Sequence, residues 1–215
     1  MAAEVIKEDF KTWVDQADMP KGKKQVALAA IKLFSEDGFD GTSTKAIAQE
    51  AGVSQATIFK YFKTKDDLLD WIISPIMKNI IPVYVSEFKD QLSSEQLDLQ
   101  AVIHFIVRNR YQFLIDNKEI AIIVITTMMT NEDVKNHFVE MIKQQGSPVF
   151  TAFSKLLSGT GEVRSGIDFL AVMRMIISQI LIYFIQVNKI LPQVDSNQDK
   201  DLSQIEEFIY RSIKK

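Results

Sequence analysis

The chain has 215 residues, of which 47% are hydrophobic and 25% charged, a balance typical of a water-soluble globular protein. It contains no cysteine, which excludes a disulfide framework, a thiolate metal site and a cysteine nucleophile. The net charge of -3 is unevenly distributed: residues 21–65 hold eight lysines against four acidic residues, whereas residues 66–215 carry an excess of four negative charges. Because phosphate binding depends on local lysines, the net charge does not exclude a nucleic-acid partner.

The first twenty residues form an amphipathic segment that ends at Met19-Pro20. They carry charges throughout and lack the continuous apolar run of a secretory signal. The most apolar stretch of the chain, residues 175–188, is shorter than the roughly 20 residues that a membrane-spanning helix needs. We therefore predict a cytoplasmic protein with no membrane partner. The apolar stripe of the first segment consists of Val5, Ile6, Phe10, Trp13 and Val14.

Helical patterns dominate the rest of the chain. Only five prolines and eight glycines interrupt it, and no stretch shows sustained alternation with the period of two that marks a β-strand. The sequence therefore predicts an all-α fold. Residues 21–37 form a helix that ends at Gly38, a residue type suited to a helix C-cap, and Pro75 and Pro82 are expected to kink or break a later helix. Further helices are predicted at 44–51, 54–62, from 66 onwards, 95–116, 118–129, 131–145, 148–158, 166–190 and 198–213, and the clearest loops at 158–166 and 192–199.

Residues 43–62 have the pattern of two short helices joined by a tight turn. Gly52 tolerates the left-handed backbone that such a turn needs, and Ser54 can cap the second helix. The second helix is expected to bury Ile58 and Phe62, so that its polar side chains face solvent. Such a helix fits the major groove of double-stranded DNA, where short polar side chains near its N-terminus reach the base edges. The alternative is a solvated helical hairpin inside a helical bundle.

The polar side chains around this hairpin suit different parts of DNA. Gln55 can pair with adenine through two hydrogen bonds, and Thr57 can offer a hydroxyl group to a phosphate or a methyl group to thymine. Lysine and tyrosine side chains suit phosphates, as do polar groups at the N-terminus of the first helix. The phosphate candidates are Thr44, Lys45, Lys60, Tyr61 and Lys65.

The surrounding residues extend this pattern. Residues 33–69, LFSEDGFDGTSTKAIAQEAGVSQATIFKYFKTKDDLL, resemble the N-terminal domain of the TetR family of bacterial regulators. They share the aromatic and glycine end of the first helix, AGVS at the turn, T.F.YF in the second helix and K.DLL after it. Ala56 stands where a glycine is common in the family and Phe59 where a tyrosine is commoner, and both differences bear on which operator is read. Carried over by position, the resemblance implies DNA contacts by Thr44, Lys45, Ser54, Gln55, Thr57, Lys60, Tyr61 and Lys65.

The resemblance also implies the organisation of the chain. Residues 1–66 are expected to form the DNA-binding domain, with residues 1–20 as an added amphipathic segment, and residues 67–215 a helical domain for ligand binding and dimerisation. The last two long helices are expected to form a four-helix interface between two copies. The alternative is that both helices bury their apolar faces within one subunit. The interface candidates are Ile177, Ile180, Phe184, Ile205, Phe208 and Ile209.

Methionine and aromatic side chains in the C-terminal two-thirds are candidates for an apolar ligand pocket. As an alternative, residues of these types at helical spacing are ordinary core residues. His104 and His137 lie on different predicted helices without a carboxylate cluster, so no metal site is expected, and no cofactor is predicted. The pocket candidates are Phe105, Tyr111, Met128, Met129, Phe150, Phe153 and Met173.

The resemblance implies a transcriptional regulator, by default a repressor. A homodimer is expected to bind a palindromic operator and to leave it when a small apolar or amphipathic ligand binds. The sequence contains no GxSxG nucleophile motif, phosphate-binding glycine loop or HExxH pair, so an enzyme is disfavoured and no catalytic residue is assigned. The other alternative is a structural or interaction bundle that does not bind DNA.

Overall fold

Regular secondary structure is helical throughout the part of the chain that the computed structural model describes, which confirms the predicted all-α fold. An isolated antiparallel bridge between Val163 and Lys214 is the one exception among those residues. Of the predicted N-terminal stripe, Val14 is described and fully buried, and the other four residues lie outside the described part. The described residues are 14, 17–80, 90, 98–193 and 197–215.

The helices lie within a few residues of their predicted positions and are, in chain order, α1 (Lys21–Asp37), α2 (Thr44–Glu50), α3 (Gln55–Tyr61), α4 (Lys65–Pro75), α5 (Leu99–Asp116), α6 (Lys118–Thr127), α7 (Glu132–Met141), α8 (Ser147–Gly159), α9 (Phe169–Ile185) and α10 (Gln198–Ile213). Gly38 follows α1 with a φ of 78°, which confirms the predicted C-cap. The helix does not end at Pro75, contrary to the prediction of a break there. Instead, α4 continues directly into a π-helical turn, Ile76–Ile80. Pro82 lies outside the described residues.

The chain divides into two compact units. The first consists of residues 1–85 and 117–146, and the second of residues 86–116 and 147–215. The predicted boundary between residues 66 and 67 therefore falls inside the first unit. The physical reason is that the hydrophobic core there is continuous: it runs from the helices before residue 66 to Ile123 on α6 and Val134 on α7.

The core of the first unit fixes the three N-terminal helices. Phe34 of α1 is fully buried and packs edge-on against Phe39, with ring centroids 5.2 Å apart. The Thr42 hydroxyl, also buried, donates to the backbone oxygen atoms of Leu33 at 3.2 Å and Gly38 at 2.8 Å. These two bonds satisfy a buried polar group and hold the loop between α1 and α2 against the end of α1.

In the second unit, α5 packs against α9 and α10. Arg108 of α5 ties these helices together on the α10 side: it donates to the Glu206 carboxylate at 2.6 Å and to the Ser203 hydroxyl at 2.8 Å. On the α9 side, Tyr111 is buried with its ring 5.3 Å from that of Tyr183. A mixed polar and aromatic seam therefore holds α5 in place.

The six residues predicted for the dimer interface differ in their burial within the single chain. Four of its six residues, Ile180, Phe184, Ile205 and Ile209, are buried inside the second unit of a single chain. These four side chains are covered within their own chain, which fits the alternative of burial within one subunit, and the interface between two copies stays a prediction. The other two, Ile177 and Phe208, are 44% and 60% exposed.

Helix α9 is longer than the apolar stretch at residues 175–188 suggested. With the π-helical turn that follows it, α9 spans Phe169–Ile190, which is 22 residues. Its most apolar window of 18 residues has a mean hydropathy of 1.8, and 22% of that window is buried in the chain. The length argument against a membrane span is therefore wrong, because apolar residues before Arg174 extend the helix. By length and composition this one helix is sufficient to cross a membrane. Core and interface helices of water-soluble proteins have the same properties.

Candidate nucleic-acid interface

Helices α2 and α3 form the predicted helix-turn-helix. Each begins at a serine N-cap: the Ser43 hydroxyl accepts a hydrogen bond from the Ala46 amide, and the Ser54 hydroxyl accepts one from the Thr57 amide. Between them Gly52 has a φ of 65°, the left-handed conformation that glycine adopts without strain. The capped ends and the glycine turn therefore set the angle between the two helices.

The helix-turn-helix buries one side of α3 and exposes the other. Ile58 and Phe62 are buried in the core of the first unit, as predicted. The opposite side is solvent-exposed along the whole helix. With 3.6 residues per turn, the exposed positions share one face, which we call the α3 outer face; it consists of Gln55, Ala56, Phe59 and Lys60.

Two of the predicted DNA-contacting residues contact each other. The side-chain amide of Gln55 donates a hydrogen bond of 3.2 Å to the hydroxyl group of Thr44 at the start of α2. Lys45, next to Thr44, is exposed. The polar groups at the N-termini of α2 and α3 therefore lie side by side, at the edge of the α3 outer face.

Ser54 and Thr57 are engaged in the cap itself. Their hydroxyl oxygen atoms are 2.9 Å apart, in addition to the bond from the Thr57 amide to Ser54. Thr57 is half-buried, and the start of α1 lies beside it: a Cβ atom at Gly22 would be 3.6 Å from the Thr57 methyl group and 3.5 Å from the Tyr61 hydroxyl. Thr57 and Tyr61 therefore lie between α3 and α1, at the border of the exposed face.

Lys65 holds a loop of the domain. Its ammonium group donates to the backbone oxygen atoms of Phe39 at 2.6 Å and Thr42 at 3.0 Å. It also lies 4.2 Å from the centre of the Phe39 ring, a cation–π contact. Two of its three N–H donors are thus used inside the protein, which leaves one for a phosphate.

Two further exposed residues of this region, Lys63 and Phe59, are not among the predicted DNA contacts. Lys63, in the turn after α3, is exposed, and the Phe59 side chain is 50% exposed. The lysine count of residues 21–65 contained Lys63, but no motif singled it out. Lys23, also part of that count, lies 4.6 Å from the Trp71 ring and 5.3 Å from the Phe62 ring and so contacts aromatic groups of its own unit.

The predicted pocket residues do not form one set. Met128 and Met129 belong to the first unit, and the other five to the second. Met129 is 84% exposed and follows the end of α6. Phe153 is buried against Phe169, 5.6 Å between ring centroids, as a core residue. The burial of Phe153 fits the alternative of an ordinary core residue, and the pocket as a whole stays a prediction.

The second unit contains an open groove of about 690 Å³ between the first turns of α5 and the middle of α10. Phe105 is the one predicted pocket residue that lines it. Glu206, on its wall, accepts hydrogen bonds from His104 at 3.0 Å and from Arg108 at 2.6 Å. Among the described residues no group of three metal-ligating side chains occurs.

Comparisons with known proteins agree with the geometry of α1 to α4. Residues 28–72 match the family described as bacterial regulatory proteins, tetR family. An HTH-type transcriptional regulator of Staphylococcus aureus is 30% identical over 101 residues, which are 47% of this chain and 52% of the relative. The chain thus spans about half the length of this relative. The fatty acid metabolism regulator protein of Bacillus subtilis is 22% identical over 163 residues, 73% of this chain and 78% of the relative.

A solved structure has the same fold over nearly the whole chain. The transcriptional regulator FadR of Bacillus subtilis, in complex with stearoyl-CoA, superposes with a TM-score of 0.58 and 17% identity, covering 86% of this chain and 96% of FadR. The segment that matches the family, residues 28–72, contains the whole helix-turn-helix and most of the two helices that flank it. Residues 28–72 of the chain are therefore similar to the DNA-binding part of the bacterial regulatory proteins of the tetR family, and nearly the whole chain shares its fold with a solved transcriptional regulator.

Proposed function

We propose that this protein is a transcription regulator that binds a specific DNA sequence through its helix-turn-helix. The single observation that carries the proposal is the α3 outer face, Gln55, Ala56, Phe59 and Lys60, exposed on a capped helix next to the Thr44 hydroxyl. A helix of this kind fits the major groove with its N-terminal side chains at the base edges. The protein acts as a regulator and not as an enzyme, in the cytoplasm.

The contacts divide into two classes. Gln55 contacts a base edge, because its amide can give and receive hydrogen bonds with adenine. Lys45, Lys60 and Lys65 contact phosphates and give affinity without sequence preference. Ser54 and Thr57 act mainly by shaping the start of α3, and Thr44 orients Gln55.

The protein binds a palindromic operator as a homodimer. Large apolar side chains on α9 and α10 remain exposed in the single chain, and a second copy would cover them. A two-fold axis through such an interface pairs two recognition helices with half-sites about 34–36 Å apart. The exposed side chains are Leu170, Ile177, Ile182 and Phe208.

The effector of this regulator is a long-chain acyl compound with an anionic head, of the fatty acyl-CoA class. Two comparisons support this: the sequence match to the fatty acid metabolism regulator protein of Bacillus subtilis, and the structural match to FadR of the same organism, which holds stearoyl-CoA. Such a compound is amphipathic, one of the two ligand types that the resemblance to the TetR family implied. If it binds the DNA-free conformation better than the DNA-bound one, it lowers operator affinity by that difference, and repression ends.

Selection of bound sequences from random double-stranded DNA tests the proposal. We expect enrichment of one palindromic sequence, bound more weakly as salt rises. Gln55→Ala should lose preference at one base position in each half-site. Gln49→Ala is the matched control, because Gln49 is also an exposed glutamine and lies on α2, outside the α3 outer face. If affinity stays weak and independent of sequence at moderate salt, the chain is not a sequence-specific regulator.

A titration tests the effector. Adding stearoyl-CoA to the protein–operator complex should release the DNA, whereas coenzyme A without the acyl chain should not, because burial of the acyl chain supplies most of the binding free energy. Reporter expression from the selected operator, with and without the chain, distinguishes repression from activation. Release by neither compound would leave DNA binding intact and exclude acyl-CoA as the effector.

A further inference from the structure

Phe59 lies at the centre of the α3 outer face. It follows Gln55 by four residues, so the two side chains lie one above the other on the same side of the helix, with Ala56 beside them. The Phe59 side chain is 50% exposed and Ala56 is exposed as well. An apolar surface therefore faces outward, between a glutamine on one side and Lys60 on the other.

The aromatic residues near Phe59 are used in packing. The Phe62 and Trp71 rings meet edge-on at 5.6 Å, and Tyr61 is edge-on to Phe62 at 6.5 Å. Within the described part of the chain, no ring or cation pairs with the Phe59 ring, and Phe59 is not among the partly buried side chains that pack against the core of the first unit. Exposing half of a phenyl ring to water is unfavourable, so its position on this face calls for an apolar partner.

We propose that Phe59 contacts the 5-methyl group of a thymine in the operator and is thereby a specificity-determining residue. The inference rests on the proposed function, DNA binding by α3. The thymine methyl is the apolar group that the major groove presents, and contact with it is a known way for phenylalanine to distinguish bases. Because a phenyl ring lacks a hydrogen-bonding group, Phe59 can discriminate only through this kind of contact.

The geometry restricts where that thymine lies. Four residues of helix advance about 6 Å along the axis, which corresponds to roughly two base-pair steps of about 3.4 Å. The thymine should therefore be within about two base pairs of the base that Gln55 contacts. The small Ala56 side chain leaves room for the ring to approach the base edge.

Replacing thymine by uracil tests the inference, because it removes the methyl group and leaves the hydrogen-bonding pattern of the base unchanged. Each thymine of the selected operator is replaced singly, and the affinity of the unmodified protein is measured for every duplex. We expect one position, within two base pairs of the Gln55 base, at which uracil lowers affinity about fourfold, the value of burying one methyl group. Phe59→Ala should abolish the difference between thymine and uracil at that position and at no other.

Two further variants make the experiment specific. Phe59→Tyr keeps the ring and should keep the fourfold preference for thymine. Lys60→Ala removes the neighbouring side chain and should weaken binding to the thymine and uracil duplexes equally. Since Phe59 is half-exposed, circular dichroism of Phe59→Ala should match that of the unmodified protein. Phe59→Leu removes the ring, keeps an apolar side chain and serves as a second variant without the ring.

The outcomes separate this inference from the proposed function. Failure of the selection to enrich any sequence would overturn both. Enrichment of an operator in which every uracil duplex binds as tightly as its thymine counterpart would overturn only the role of Phe59. The same holds if Phe59→Ala keeps the full preference for thymine, since another side chain would then contact the methyl group.

Discussion

Gln55 and Thr44 join the two helices of the helix-turn-helix through a side-chain hydrogen bond of 3.2 Å, across eleven residues of sequence. The bond limits the rotamers of Gln55 before DNA is present. A side chain that is already ordered loses less conformational entropy on binding. We therefore expect Thr44 to contribute to recognition through Gln55, in addition to any phosphate contact of its own.

Replacing Thr44 by valine should reduce sequence preference at the base that Gln55 contacts. Valine has the shape of threonine but no hydroxyl group, so the hydrogen bond is lost and the Gln55 amide becomes free to rotate. We expect a loss of about 0.5–1.5 kcal/mol in discrimination, measured by competition between operators that differ at that base. Thr44→Ser should behave like the unmodified protein. Full additivity of Thr44→Val and Gln55→Ala would argue against the coupling.

Lys65→Ala should act mainly on the stability of the first unit. Its effect on the salt dependence of DNA binding should be the smaller part of the change. The ammonium group bonds to the Phe39 and Thr42 oxygen atoms, so its loss should reduce the free energy of unfolding by about 1–2 kcal/mol. Lys60→Ala is the matched comparison: it should leave stability unchanged and reduce the salt slope by about 0.9. A Lys65→Ala variant of normal stability and reduced salt slope would make Lys65 chiefly a phosphate contact.

Sequence reasoning predicted the helix-turn-helix closely because local signals define it. Serine caps, the glycine turn and the spacing of Ile47 and Ile58 act within a few residues of each other. The role of Lys65 was beyond such reasoning, because its partners lie 23 and 26 residues away. The exposure of Phe59 was equally hidden, since an aromatic residue in an amphipathic helix is more often buried.

The C-terminal residues were harder to interpret because α9 and α10 are apolar on more than one side. Composition alone does not distinguish Ile180, which is buried, from Ile177, which is exposed three residues earlier. The division into two units was also hidden from sequence. Residues 117–146 join the first unit through contacts of α6 with α1 and of α7 with α4, all of them distant in sequence.

Two glycine substitutions should change stability in opposite directions. Gly52 has a φ of 65° and open space around it, so Gly52→Ala meets no clash but strains the backbone, at a cost of about 1–2 kcal/mol. Gly22 lies within α1, where a Cβ would reach ordinary contact distance from Thr57 and Tyr61. Gly22→Ala should therefore stabilise the protein by up to about 1 kcal/mol. Urea unfolding measures both, and a destabilised Gly22→Ala would mean that α1 and α3 are packed too closely for a methyl group.

Stability at alkaline pH should depend on Tyr111. Burial raises the pKa of Tyr111, and the nearby Asp201 carboxylate acts in the same direction, whereas hydrogen bonds with Asn188 and Tyr183 oppose it. The folded state therefore holds the phenolic proton more tightly than the unfolded state does. This contribution is complete below the ordinary tyrosine pKa of about 10 and is lost as the pH rises through the folded-state value.

Tyr111→Phe tests this expectation by urea unfolding at a series of pH values. At neutral pH the variant should be about 1 kcal/mol less stable, because the hydroxyl group loses its hydrogen bonds. Above about pH 10 its stability should fall less steeply than that of the unmodified protein. Parallel curves for the two proteins across the alkaline range would show that Tyr111 does not contribute.

Introducing a charge into the exposed apolar face of α9 should dissociate the proposed homodimer. Ile177 is 44% exposed in the single chain, and stable interfaces of this kind tolerate no unpaired carboxylate at their centre. We expect Ile177→Asp to halve the mass measured by light scattering and to weaken operator binding by removing the second half-site contact. Val139→Asp is the matched control, because Val139 is 41% exposed on α7 in the other unit. An Ile177→Asp protein of unchanged mass would place the dimer interface elsewhere or exclude a dimer. Phe208→Asp then decides between an interface elsewhere and no dimer, because Phe208 is 60% exposed on α10. A lower mass for Phe208→Asp would place the interface on α10.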